Sequence, residues 1–312
     1  MLGRALAAVA AVAAFVLADA GAAMAQKQGG TLRIPHRDNP PSASPHEEAT
    51  ISVNIPYMAL FNNLVLFDQS KPHESAETIV PDLAESWSWD DSKKKLTFKL
   101  RQGVKWHDGK PFTAKDVQCT WRMVIGKTEK ADLRKNPRKI WWFNVDDVTI
   151  NGDHEATFVL NEPQPSLLLL LASGYSPVYP CHVPQRDMRT RPIGTGPFKF
   201  AEYKRGESIK LVRNPDYWKK GRPYLDAIEY RIMENRSTRL LAFSTGEFDI
   251  TFPTDLTIPL GRDMKSQAPQ AICKFLPTGV STNLIVNRDK PPFDNAKIRR
   301  AMSLALHRAS FN

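Results

Sequence analysis

The sequence predicts a mixed α/β fold, and three local patterns predict it. Leu96, Phe98 and Leu100 alternate with Thr97, Lys99 and Arg101, the period-two signature of a half-buried strand. Val117, Thr120, Trp121 and Val124 recur at helical spacing behind Thr113-Ala114-Lys115-Asp116. That tetrad has the form of a capping box, in which Thr113 and Asp116 satisfy each other's backbone N–H groups. From Phe198 to Ile250, strand and helix signals succeed one another as in an open sheet with covering helices.

Ahead of these elements, residues 1–25 read as a secretory signal. Arg4 supplies a positive start, residues 5–18 are small or apolar, and Ala23-Met24-Ala25 offers an A-x-A cleavage site. Asp19 ends the run short of the roughly 18–20 apolar residues a membrane span needs. No Arg-Arg pair precedes the run, which selects general secretion, and no cysteine stands at the cut to carry a lipid. The chain has 43 Lys and Arg against 33 Asp and Glu, a net charge of +10. Inside a cell that excess would point to nucleic acid. An exported chain meets none, so the basic-aromatic stretch 134–142 is expected to be a solvated surface loop. Three cysteines, Cys119, Cys181 and Cys273, allow at most one disulfide. Which pair would form is open, and no spacing suggests zinc.

In chain order, residues 31–34 read as a short strand that empties into a Pro/Ser/Asn loop over 35–46, the kind of place where α/β sheets hold ligands. Val53, Tyr57, Leu60, Phe61 and Leu64 predict an amphipathic helix over 53–64, with Pro56 in its first turn. Gly103 opens a turn that leads through Trp106-His107-Asp108-Gly109 to the capped helix. Residues 148–160 predict a hairpin about Asn151-Gly152. The five leucines of 167–171 predict a buried helix turn packed on that hairpin. Gly194-Thr195-Gly196 is a tight turn entering a strand at Phe198 and Phe200; it lacks the Gly-Lys-Ser/Thr ending of a phosphate loop. A turn over 202–207, a return strand at Ile209 and Leu211, and a strand at Ile228, Tyr230 and Ile232 follow. Ser237 is the expected cap of a helix closed by Gly246, with a further strand starting at 248–250. Residues 281–287 read as a strand, and Asp294 as the cap of a last helix.

No constellation is convincingly catalytic. His107-Asp108 is the most enzyme-like pair, but adjacent residues at a turn diverge and no second cluster completes a triad or a metal shell. His46-Glu47-Glu48 has Thr50 where a second ligating His would stand, so a solvated loop is expected. Cys181-His182 is isolated, and Glu85 and Asp108 cannot be placed at a glycosidase separation. No cofactor and no metal ligand is assigned.

Two long motifs carry a resemblance. Pro81-x-Leu83-Ala84-x-Ser86-Trp87 is followed by a run from Leu96 to Val117 of the form L-T-F-x-L-R-x-G-V-K-W-H-D-G-x-P-F-T-A-x-D-V. With the later G-T-G-P-F, N-x-x-Y-W, G-x-x-D-I and P-P-F-D, this resembles the family 5 extracellular solute-binding proteins, the peptide- and nickel-type receptors of ABC importers. The resemblance implies a type II periplasmic-binding-protein fold. Lobe I would comprise 26–70 and 185–278, an inserted subdomain 71–184, and the start of a mostly missing lobe II 279–312. It implies a periplasmic, monomeric receptor, with no nucleic acid partner, that passes a small solute such as a peptide to membrane permease subunits. The segments it marks for ligand contact are His36, Arg37 and Asp38 after the first strand, Tyr57 as a wall, and Gly279, Ser281, Thr282 and Asn283 on the strand crossing to lobe II. A non-functional or weakly binding truncated receptor fragment and an exported hydrolase are the rival readings.

Overall fold

The computed structural model describes residues 27–128, 133–274 and 284–307; the signal segment 1–25 and the expected contacts Gly279, Ser281, Thr282 and Asn283 lie outside the described residues. Along the chain come β1 (Thr31–His36), α1 (Ile51–Met58), β2 (Val65–Phe67), β3 (Ile79–Pro81), β4 (Ala84–Trp89), β5 (Lys95–Leu100) and α2 (Ala114–Ile125). Then follow β6 (Val145–Ile150), β7 (Glu155–Leu160), α3 (Leu167–Ala172), α4 (Gln185–Met188), β8 (Phe198–Lys204), β9 (Ser208–Arg213) and β10 (Ala227–Ile232). Helices α5 (Arg236–Ser244), α6 (Ile258–Gln267) and α7 (Ala296–Ala305) complete the order. The chain divides into two compact units, Met1–Ala271 and Ile272–Asn312.

The first unit holds two four-stranded sheets, ordered β1-β10-β9-β8 and β4-β5-β7-β6, and the two-stranded ribbon β2-β3. The second sheet is antiparallel throughout and shows the alternation the sequence predicts. Leu96, Phe98 and Leu100 of β5 point inward, and Phe98 packs edge-on against Phe158 of β7 at 5.7 Å. Trp121 on α2 lies between Trp142 and Phe158, at 5.8 and 5.0 Å. Burying one such side chain is worth about 1.5–3 kcal/mol, so α2 is held by its inward stripe. Its start is the predicted capping box: the Thr113 N–H donates to Asp116 Oδ2 at 2.9 Å. Gly126 ends it at φ +81, a left-handed position that favours glycine.

The first sheet combines one parallel pair, β1 with β10, and antiparallel neighbours β9 and β8. β1 runs two residues beyond the expected 31–34, because Pro35 and His36 stay in register with Arg231 and Ile232. α1 starts and stops earlier than the expected 53–64, and Pro56 lies inside it. It stops because the next carbonyls are already committed: Ala59 O accepts from Phe198 N–H at 3.2 Å and Leu60 O from Gly196 N–H at 2.9 Å. That approach explains the glycines of the Gly194-Thr195-Gly196 turn. A Cβ at Gly194 would stand 1.8 Å from Leu60 O, and one at Gly196 2.4 Å from the Leu60 carbonyl carbon.

Other local expectations shift. α3 packs on the β2-β3 ribbon rather than on the β6-β7 hairpin. β8 continues through Lys204, so the turn to β9 narrows to 205–207 about Gly206 at φ +79. Asn235, not Ser237, caps α5, accepting from the Thr238 N–H. Residues 248–250 form no strand; Asp249 instead binds along the β1 edge, its N–H donating to Arg33 O at 3.0 Å and its Oδ2 accepting from Arg33 N–H at 2.7 Å. α6, capped by Thr257, had no expectation. In the second unit, 284–287 is not a strand, and Asn295 rather than Asp294 caps α7.

Polar segments expected in solvent are buried. His46 and Glu47 are 5 % and 3 % exposed. Glu47 takes a bidentate pair from Arg189, both bonds at 2.7 Å, and His46 Nε2 meets Pro177 O at 2.8 Å. Arg138, in the stretch expected to be a solvated loop, is buried and donates to the carbonyls of Pro45 and Glu48. Cys119 and Cys181 pair in a disulfide, leaving Cys273 free. His182 is not isolated: its Nε2 lies 2.8 Å from Asp108 Oδ2.

Candidate functional site

Parallel pairing puts the C-terminal ends of β1 and β10, His36 and Ile232, at the same sheet edge. This is the edge at which open α/β sheets offer exposed loops to a ligand. The chain leaving β1 presents Arg37 and Asp38, both about two-fifths exposed and joined by an ion pair at 3.4 Å. Beneath Arg37 lies Phe252, its ring 5.0 Å from the guanidinium carbon, and Arg37 Nη1 also donates to Thr254 Oγ1 at 3.3 Å. The site is thus a pair of opposite charges over an aromatic floor.

The floor is held from α5. Arg239 is buried and forms a bidentate pair with Asp255, at 2.7 and 2.6 Å. Its Nη1 donates to the carbonyls of Met233 and Glu234, each at 2.7 Å, which ties the chain after β10 to the segment carrying Phe252 and Thr254. Met233 N–H donates to His36 O at 2.7 Å and closes the loop onto β1.

His36 itself is fully buried, edge-on to Phe252 at 5.6 Å and to Tyr230 at 6.0 Å. Burial lowers its imidazolium pKa to about 4, so the ring is neutral at ordinary pH. Neither ring nitrogen has a hydrogen-bond partner. The Ser52 carbonyl, left without a helical donor by Pro56, faces the ring without reaching hydrogen-bond geometry. Tyr57 is enclosed too, 1 % exposed with its hydroxyl unpartnered, and burial raises that hydroxyl's pKa. Of the four described residues singled out in the sequence, Arg37 and Asp38 stand exposed at the sheet edge, whereas His36, expected as a contact, is enclosed beneath them. Tyr57 is set in the core.

Phe252, Thr254, Arg239 and Asp255 were not foreseen. The polar Thr254-Asp255 after an apolar residue reads locally as a turn, and only the fold reveals that it meets Arg37 and Arg239.

The enzyme-like His107 has a structural task. Its Nδ1 accepts from Gly194 N–H at 3.2 Å and its Nε2–H donates to Gly196 O at 3.1 Å, which clamps the glycine turn. Burial lowers its pKa to about 4, consistent with this neutral tautomer. Both ring nitrogens are engaged by the backbone, so neither serves as a base. The Asp108–His182 pair has Cys181 beside it, but that sulfur is bonded to Cys119. Among the described residues no group of three or more His, Cys, Asp or Glu could hold a metal ion.

The family model described as bacterial extracellular solute-binding proteins, family 5 Middle, matches residues 78–312. The periplasmic oligopeptide-binding protein OppA of Salmonella typhimurium is 28% identical over 320 residues, covering 97% of this chain and 56% of OppA. Among solved structures, the oligopeptide-binding protein AppA from Bacillus subtilis in complex with a nonapeptide superimposes with a TM-score of 0.70 at 26% identity, covering 91% of this chain and 55% of AppA. MoaA from A. tumefacien R10 in complex with mannopinic acid superimposes with a TM-score of 0.73 at 26% identity, covering 91% of this chain and 56% of MoaA. The chain spans about half the length of the relatives it matches.

Proposed function

This chain belongs to the bacterial extracellular solute-binding proteins of family 5, and from that premise we propose that it serves an exported receptor that captures a peptide or similar small solute and delivers it to the permease of an ABC importer. Its fold is that of the type II periplasmic binding proteins, of which these residues make a part. The family is one of solute-binding proteins rather than enzymes. In this reading, 26–70 and 185–278 are lobe I, 71–184 is an inserted subdomain, and 279–312 opens lobe II.

The observation that carries the reading is the half-exposed Arg37–Asp38 pair over Phe252, at the shared edge of β1 and β10. A zwitterionic peptide has both an ammonium and a carboxylate. Opening the pair lets Asp38 accept from one and Arg37 donate to the other, while Phe252 excludes water from beneath. Charge-assisted bonds of this kind are about twice as strong as neutral ones. A solute gripped by both lobes only when they close shifts the population toward the closed form, which a permease then distinguishes. Gly279, Ser281, Thr282 and Asn283, outside the described residues, are further proposed contacts.

The test is native mass spectrometry of the protein purified from its host's export compartment, followed by calorimetric titration with the co-purified solute. A bound peptide whose affinity falls at least about tenfold in Arg37→Ala and Asp38→Ala supports the reading, since each loses a charge-assisted bond. A bound solute indifferent to both variants overturns the assigned site.

A further inference from the structure

Beside the β4-β5-β7-β6 sheet lies a second feature that shares no residue with the Arg37–Asp38 site. The helical turn Lys139–Trp142 and the residue after it expose three large apolar side chains within four positions: Ile140 at 70%, Trp141 at 37% and Phe143 at 76%. Ile140 and Phe143 border a groove of about 630 Å³ running past Ile125, Pro137 and Val145. The exposure is not the result of a loose loop. Trp142 anchors the turn in the core against Trp121, Asn136 Nδ2 donates to Val124 O at 2.6 Å, and buried Arg138 lies beneath Trp141 and Tyr175 at 5.7 and 4.6 Å. The fold therefore holds these apolar side chains outward.

Their surroundings are cationic. Lys127 and Lys139 line the groove, and Arg134 and Lys135, a few residues before the turn in the chain, are exposed as well. The carboxylate lining the groove, Asp146, is already paired with Lys127 at 2.8 Å. An apolar, aromatic turn flanked by cations along the chain matches an anionic bilayer surface: rings settle at the headgroup level and lysines reach lipid phosphates.

We propose that this face docks the protein on an anionic phospholipid membrane. Docking would confine the receptor near the plane in which a permease lies, and it requires no particular solute, so its failure leaves the solute reading intact.

The experiment is co-sedimentation of the whole protein with vesicles of phosphatidylcholine alone and of phosphatidylcholine mixed with phosphatidylglycerol. The wild-type protein is expected to partition onto the anionic vesicles, with binding weakened by salt. The exposed double variants I140S/F143S and K135E/K139E each lose at least about tenfold in partition, because one removes the insertion and the other the attraction. Circular dichroism and solute titration are unchanged in both, which separates a docking defect from a folding one. Absence of binding, equal binding to neutral vesicles, or unaltered binding by both variants overturns the proposal. If vesicles do not retain the protein but immobilised poly-glutamate retains the wild type and not K135E/K139E, the face takes an acidic protein and the lipid assignment falls.

Discussion

Arg239 and Asp255 meet through two hydrogen bonds, 2.7 and 2.6 Å, with both residues buried at 3 % and 2 % exposure. The pair joins α5 to the segment that supports Arg37 from below, so its loss reaches the candidate site without touching a solute. Removing one partner leaves a buried charge unpaired, which costs about 3–5 kcal/mol. Asp255→Ala is expected to lower the urea midpoint by that equivalent. The double variant R239M/D255L is expected to recover part of the loss, because an apolar pair of similar volume leaves no charge stranded. A double variant as unstable as the sum of the singles would count against this account.

How much of this was legible in the sequence depended on the range of the interaction. The β5 alternation and the Thr113–Asp116 cap are written within a few residues, and both are observed as expected. That the chain after β1 leaves at a sheet edge was legible from its strand-to-loop pattern, and the structure places it there. Arg239 reaches Asp255 across 16 positions and Arg37 reaches Thr254 across 217, so no local window contains them. His46 and Glu47 read as solvated for the same reason. Their polarity is local, while their partners Pro177 and Arg189 stand 131 and 142 positions away. α1 was over-extended because Leu60, Phe61 and Leu64 are buried at helical spacing, yet the backbone there bonds the glycine turn.

The glycine turn gives a sharp contrast. Gly194→Ala puts a methyl carbon 1.8 Å from the Leu60 carbonyl oxygen, a backbone atom with no rotamer to yield. Overpacking costs about 1–3 kcal/mol in side-chain surroundings, and here α1 or the turn itself must move, so at least the upper end is expected. Gly152→Ala has open space about it and meets only its φ of +67, which costs about 1 kcal/mol. Urea denaturation of the two variants side by side checks the ordering. Equal losses would mean that the Leu60 approach relaxes freely.

The Cys119–Cys181 bond closes a loop of 62 residues between α2 and the chain before α4. Restricting the unfolded chain over that span is worth about 4 kcal/mol in the loop-entropy account. The C119A/C181A variant is expected to lose stability of that order, and dithiothreitol to lower the melting temperature of the wild type but not of the variant. Thiol titration of the denatured protein should yield one reactive group before reduction and all 3 after it. Three thiols without reductant would remove the disulfide from the account.

Three enclosed or partly enclosed histidines each weaken the fold as the medium is acidified from neutrality. His36, His46 and His107 each have a pKa lowered by burial from 6.5 to about 4. Between those values the unfolded chain binds protons that the folded chain refuses, so stability declines as pH drops from 6.5 towards 4 and is level above it. Each histidine contributes at most about 1.4 kcal/mol per pH unit in that window. Asp82 and Glu48 work in the opposite direction, because burial raises their carboxyl pKa values and the folded state holds the proton more tightly. Asp147 and Asp249 are lowered by Arg122 and Arg33, so their contributions are lost only at more acid pH, below the window. The net slope is therefore a balance, and the informative quantity is the difference made by one histidine. His46→Gln keeps a donor for Pro177 O and removes a titrating ring. Guanidinium unfolding from pH 4.5 to 7.5 is expected to show a slope shallower by up to one proton than that of the wild type. Parallel slopes would mean that His46 protonates as readily in the fold as outside it.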